Sequence, residues 1–226
     1  MATYLIIGAD RGIANALCLQ LCERGESVIA ACLGDSPALA AKGARVETGV
    51  DVTSDSAVHA LAQRLIGTHV DVLIHVAGMY LDDDLEALSM ADVQRQIEVN
   101  ALGPLRVVHA LRSCLDHGAK IGIVTSRMGS ISDNTSGRLY GYRMSKAAAN
   151  MLGASLAQDL KERGIAVALL HPGMVNTQLV PNLPESARSQ LIEPEEAARG
   201  LLARMDTLTL ETTGKFWHAN GEVLPW

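Results

Sequence analysis

The chain has 226 residues, 48% hydrophobic, 19% charged and 3% aromatic, with a formal net charge of −6. One Phe, two Trp and four Tyr cannot furnish the exposed rings on which single-stranded nucleic acid stacks, and the acidic balance opposes binding to a phosphate backbone. The length suits one α/β domain over residues 1–226 without a separate substrate module, so a ligand site must be cut from one core and its loops.

In chain order, residues 4–7 are a short β-type run, followed from Gly12 by a helical pattern (Ile13, Ala16, Leu17, Leu21) that stops at Gly25. Residues 27–32 read as a strand, 45–47 as a weaker one, and 54–66 as a helix with Val58, Leu61 and Leu65 on one face. A continuous apolar strand covers 70–76, a long helical region 90–115, and another strand 121–125. An Ala-rich helix from Gly141 to about Arg163 leads to a strand at 165–170. Then come a Pro-containing loop at 171–192, a helix near 194–205 and a last strand around 215–217. Strands alternate with helices and are nearly unbroken apolar runs. That pattern predicts a Rossmann-like, doubly wound parallel sheet with helices on both faces and ligands at the carboxyl ends of the strands.

No apolar run approaches 18 residues and no basic segment leads into one near Met1, so the chain reads as a cytoplasmic protein without a membrane partner. Cys18, Cys22, Cys32 and Cys114 include no Cys-x-x-Cys and read as small buried hydrophobes. The seven histidines are scattered, and the run Asp82-Asp83-Asp84 reads as a solvated loop, so no metal site is expected.

Three places carry chemistry. Gly8, Asp10, Arg11, Gly12 and Ile13 lie between the first strand and first helix, where glycines let backbone approach a pyrophosphate at a helix N-terminus. The Gly-x3-Gly spacing differs from the longer dinucleotide fingerprint and also suits a tight turn with no ligand. Asp51-Val52 at the expected end of the third strand and Ala77-Gly78 after the fourth would extend one ligand edge, the carboxylate reaching an adenine amino group. Tyr142 and Lys146 stand four apart on a helix, so phenol and ammonium share a face, and a nearby ammonium favours phenolate. Ser126, after the strand at 121–125, can hydrogen-bond a substrate oxygen that becomes anionic.

Gly8-x3-Gly12-Ile13, Ala77-Gly78, Asn100, Ser126, Tyr142-x3-Lys146 and Pro172-Gly173 together resemble the short-chain dehydrogenase/reductase superfamily along essentially the whole chain. The stretches 126–131, 142–148 and 221–226 look most like the C-factor and sniffer-type carbonyl reductases. The resemblance implies an oxidoreductase moving a hydride between NADP(H) and a carbonyl or alcohol. Tyr142 would be the general acid/base and Lys146 would lower its pKa and hold the nicotinamide ribose. Ser126 would bind the substrate oxygen, and Asn100 would hold a distortion in the long helix and a water. Pro172, Gly173, Val175 and Thr177 would line the nicotinamide. The resemblance also implies pairing of the helices through Asn100 and Tyr142 in a homodimer or homotetramer. His75-Val76 stands where the family has Asn-Asn, Ala14 replaces a third glycine, and the gap from Ser126 to Tyr142 is long.

With neither Asp nor Arg at the tip of the second strand, Arg11 favours NADP over NAD, which is the second choice. Met79, Met128 and Met174 are expected to give the site an adaptable apolar wall, and the loop at 171–192, with Leu179, Val180, Pro181 and Pro184, to cover it. A non-catalytic dinucleotide-binding sensor or signalling protein is the alternative, but it would have no use for a proton donor beside an ammonium.

Overall fold

A computed structural model describes residues 1–179 and 188–226. The strands are β1 (Thr3–Ile7), β2 (Ser27–Ala31), β3 (Arg45–Glu47), β4 (Val72–His75), β5 (Lys120–Val124), β6 (Ala166–His171) and β7 (Phe216–His218). Between them lie α1 (Gly12–Glu23), α2 (Pro37–Ala40), α3 (Asp55–Arg64), α4 (Met90–Ile97), α5 (Gly103–Leu111), α6 (Tyr140–Asp159) and α7 (Pro194–Thr207). The strands pair in parallel in the order β3-β2-β1-β4-β5-β6-β7. Strand order reverses between β1 and β4, and at such a switch point a crevice opens beyond the strand ends.

Alternation along the strands divides the core. Ile6 and Ile74 pack with Leu17 and Leu21 of α1 and Leu201, Leu202 and Met205 of α7 on one face. Leu5, Ile7 and Leu73 point to the other, against Leu61 of α3 and Val107, Val108 and Leu111 of α5. Burial on both faces explains why the strands are apolar runs rather than alternating ones. The doubly wound fold expected from the sequence is the one observed.

Differences are local. The four-residue α2 is too short for its period to show in the sequence. Residues 51–52 lie beyond the third strand, which ends at Glu47, in the loop leading to α3. The long helical region is interrupted by a π-helical segment, Glu98–Leu102, between α4 and α5. Pro104 accounts for it: in a regular α-helix its ring would meet the carbonyl of Asn100, and a widened turn relieves that clash.

Among the described residues, no helix is long and apolar enough to cross a membrane, and no three His, Cys, Asp or Glu side chains gather as a metal-binding group. Cys18, Cys32 and Cys114 are buried and unpaired by disulfides, and burial pushes their thiols up, away from reactive thiolate. Val180, Pro181 and Pro184 of the expected covering loop lie outside the described residues.

Candidate active site

β1 ends at Ile7 and turns through Gly8 into α1. Gly8 (φ +85°) and Gly12 (φ +58°) adopt left-handed backbone. A Cβ on Gly8 would lie 2.8 Å from the Ala77 backbone, and one on Gly12 3.3 Å from the Thr177 side chain. These glycines therefore let the turn close against the segments that follow β4 and β6. No side chain caps the start of α1 and its first turn holds no acid, so its free N–H groups and positive dipole end are left for an anion.

The turn forms one end of a cavity of about 780 Å³ along the strand tips. Its walls are Gly8, Asp10, Arg11, Gly12, Ile13, Leu33, Gly34 and residues 50–53 at that end. Residues 76–79, Val99, Val124 and Thr125, Tyr142, Lys146, Pro172, residues 176–179 and Pro194 complete it. Asp51 is steadied by its own loop, accepting from the Thr53 N–H (2.9 Å) and hydroxyl (2.7 Å). Arg106 of α5 reaches across to the Val52 carbonyl at 2.6 Å.

Tyr142 stands on the first turn of α6, whose start is built by a residue that the sequence reading leaves in a solvated loop. Asp83 is buried, and its carboxylate accepts from the N–H groups of Tyr140 and Gly141, the latter at 3.0 Å. Its carbonyl also accepts from Leu139 N–H at 3.0 Å. The two residues before the helix, Arg138 and Leu139, have φ of 55° and 54°, a strained conformation for side chains of their size that Asp83 helps to hold. A Cβ on Gly141 would lie 2.4 Å from Gln96 Nε2, so α6 packs tightly on α4 there. Asp83→Ala is expected to cost about 1–2 kcal/mol of stability and lower turnover while leaving dinucleotide affinity near wild type. Thermal unfolding, steady-state kinetics and a binding titration on one preparation check this.

The phenol of Tyr142 is buried, with Ser126 close enough to favour its ionised form, and the ring meets Tyr80 edge-on at 5.2 Å. Ser126 Oγ accepts from Met128 N–H at 3.2 Å, which orients the hydroxyl while leaving its proton to donate. Lys146 Nζ lies 5.7 Å from the centre of the Tyr142 ring and donates to the Val124 carbonyl at 3.1 Å. Burial pushes Tyr142 up to about 12, more than Ser126 lowers it, and pushes Lys146 down to about 8. The Tyr-x3-Lys spacing alone suggests a lowered phenol pKa. Burial outweighs that effect here, because the ammonium turns toward Val124 rather than to the phenolic oxygen.

Asn100 sits in the π segment, behind the cavity wall. Its Oδ1 accepts from Met79 N–H (2.8 Å), and its Nδ2 donates to the Met79 carbonyl (2.9 Å) and to Ser145 Oγ (2.9 Å). It thereby ties the segment after β4 to the helix bearing Tyr142 and Lys146. A Cβ on Gly78 would lie 3.2 Å from Asn100 Oδ1 and 3.5 Å from Lys146 Nζ. His75 is buried and held neutral, pushed down to about 3 by burial and then by the Lys146 charge, so it adds no second cation beside Lys146.

Most of the residues singled out in the sequence meet in one cavity. Gly173 and Val175 do not line it: Gly173 (φ +92°) faces Ile192 and His218, and Val175 bridges to Ile192. Ser126 lies beside Tyr142 rather than on the wall, and Met79 lines the cavity whereas Met128 and Met174 do not. The cavity has the parts that an extended dinucleotide needs: a glycine turn that excludes a Cβ, an uncapped helix start, and a buried phenol and ammonium at the far end. Gly8, Gly12 and the start of α1 would hold the pyrophosphate, and Lys146 and Thr177 the nicotinamide half.

A family model described as short chain dehydrogenase matches residues 2–188. The 1-hydroxy-2-glutathionyl-2-methyl-3-butene dehydrogenase of Rhodococcus sp. (strain AD45) is 52% identical over 228 residues, covering 100% of both chains. The C-signal of Myxococcus xanthus is 40% identical over 172 residues, 75% of this chain and 100% of its own. The NADPH-bound carbonyl reductase from chicken fatty liver superimposes with a TM-score of 0.89 at 26% identity, covering 100% of this chain and 99% of that one. With the glycine turn, Ser126, Tyr142 and Lys146 in place on a parallel sheet, the chain belongs to the short chain dehydrogenase family of oxidoreductases.

Proposed function

We propose that the protein interconverts an alcohol and a carbonyl compound at the Tyr142 end of the cavity, with NADP(H) as cofactor and NAD(H) as a second choice. The observation that carries this is the burial of Tyr142 against Ser126, one helical turn from Lys146, at the end of a dinucleotide-sized cleft. The bound nicotinamide supplies or accepts the hydride. Tyr142 gives its proton to the substrate oxygen in reduction and takes it back in oxidation. The Ser126 hydroxyl, buried beside Tyr142, donates to the same oxygen. Lys146 has three N–H groups and uses one on Val124, so two remain for ribose hydroxyls and the phenol. Asn100 keeps the segment after β4 and α6 in register.

The full-length relative acts on an alcohol beside a glutathionyl thioether, and that class is the first substrate to try. The decisive experiment incubates purified protein with NADP or NAD and 1-hydroxy-2-glutathionyl-2-methyl-3-butene, and with NADPH or NADH and a panel of aldehydes, ketones and quinones. Formation or loss of reduced nicotinamide supports the reading. Dinucleotide binding without turnover on any compound supports a sensor, a reading favoured by the resemblance to a protein named for a signal. A homodimer or homotetramer through α4, α5 and α6, where Leu102, Leu105, Met144 and Met151 are exposed, belongs to the same proposal and is read by light scattering. So does a cytoplasmic setting.

Carbonyl reduction needs a neutral Tyr142 and a charged Lys146. Both forms are present below about pH 8, and Lys146 loses its proton as pH rises through about 8 while Tyr142 keeps its own to about 12. The kcat/KM for reduction is therefore expected to be level from pH 6 to 7 and to fall above about 8. A profile that rises across that range would contradict these roles.

A further inference from the structure

We propose that Asp10 is a specificity-determining residue for the adenosine end of the cofactor, a carboxylate delivered from the glycine turn to the tip of β2, where it opposes a 2′-phosphate. The proposal rests on the dinucleotide reading of the cavity. In doubly wound sheets, an acidic residue at the end of the second strand takes the ribose 2′-hydroxyl. Here that tip offers Leu33, an exposed apolar residue, and Gly34. Their N–H groups point back to the preceding turn: Asp10 Oδ2 accepts from Leu33 at 3.1 Å and Oδ1 from Gly34 at 2.8 Å. Asp10, Leu33 and Gly34 all line the cavity. The carboxylate thus sits at the place where the second strand reads the ribose, although it comes 23 residues earlier in the chain.

A ribose hydroxyl can donate to that carboxylate. A phosphate cannot, and it meets a like charge. Asp10 also occupies the two backbone donors that a phosphate at this tip would otherwise use. The nearby charges reinforce the effect. Asp35 lies just beyond, and burial first, then Asp10 and Asp35, push up the Cys32 thiol at the end of the strand. Arg45 and Arg64 are committed to Glu47 at 2.7 and 2.5 Å. Arg11 is the remaining cation of the turn; it is exposed, pairs with no carboxylate among the described residues, and draws a 2′-phosphate. Adjacent residues of opposite charge therefore pull in opposite directions, leaving a shallow preference between NADP and NAD rather than a steep one.

The test is a fluorescence titration of NADPH and NADH, with thermal unfolding alongside, on wild type, Asp10→Asn, Asp10→Ser and Arg11→Ala. Wild type is expected to bind both, with affinities within about tenfold. Either Asp10 variant should shift the NADPH-to-NADH affinity ratio toward NADPH by about tenfold, and Arg11→Ala should shift it toward NADH. Asp10→Asn and Asp10→Ser both remove the charge and keep one acceptor oxygen, so a shift shared by the two does not depend on the Asn amide or on side-chain length. If both Asp10 variants fold and keep the wild-type ratio within about twofold, the proposal is overturned while the dinucleotide reading stands. Wild type that binds neither nucleotide overturns both.

Discussion

Tyr142→Phe is expected to lower kcat by about 10³-fold or more while the dissociation constant for NADPH stays within about threefold of wild type. The substitution removes one oxygen from a buried ring and keeps the edge-on contact with Tyr80 at 5.2 Å. It also leaves Lys146 on the Val124 carbonyl, so the cavity keeps its shape. What disappears is the proton donor of the proposed reaction, and general acid/base catalysis alone accounts for about 10²–10⁴ in rate. Single-turnover kinetics with a saturating carbonyl substrate, paired with an NADPH titration, separates the two effects. Residual turnover within tenfold of wild type would move the acid role to another group.

Gly129→Ala is expected to damage the fold and the site together, because it strikes backbone. A Cβ there would lie 2.6 Å from the Lys146 carbonyl carbon and 2.7 Å from its oxygen. Neither atom can yield without moving the turn Arg127–Gly129 away from α6. That turn follows Ser126 directly, and Thr125 Oγ1 bonds the same Lys146 carbonyl at 3.2 Å. One methyl group therefore separates Ser126 from Tyr142 and Lys146 together. Overpacking of this kind costs about 3 kcal/mol, which lowers Tm by roughly 10 °C in a chain of this size. The expected kinetic result is a fall of about 10² in kcat/KM, since ångström shifts of reacting groups carry that penalty. A variant with wild-type Tm and activity would show that the two backbones can part without consequence.

The fold was legible because parallel strands covered on both faces announce themselves as apolar runs between helical periods, as Leu73 and Ile74 do in β4. The glycine turn and the Tyr142–Lys146 pair were legible because local geometry dictates them: a tight turn, and one helical step. Asp83 was not. Its charge suggests water, and nothing along the chain relates it to a helix that begins 57 residues later. The bonds from Leu33 and Gly34 to Asp10 were hidden for the same reason. The π segment lies between these cases. Pro104 signals a break in the helix, but that the break points Asn100 at Met79 and Ser145 depends on three elements meeting. That burial raises the Tyr142 pKa depends on the whole fold, which a Tyr-x3-Lys spacing does not show.

The widened turn at Glu98–Leu102 has a consequence for how such a chain can change. A regular α-helix covering the same rise holds one residue fewer, and each residue turns the helix by about 100°. Loss of one codon within that stretch is expected to swing the Asn100 amide off both its anchors and to set the Pro104 ring against the preceding turn. In genetic terms, one in-frame deletion there is expected to part the segment after β4 from the helix that bears Tyr142 and Lys146.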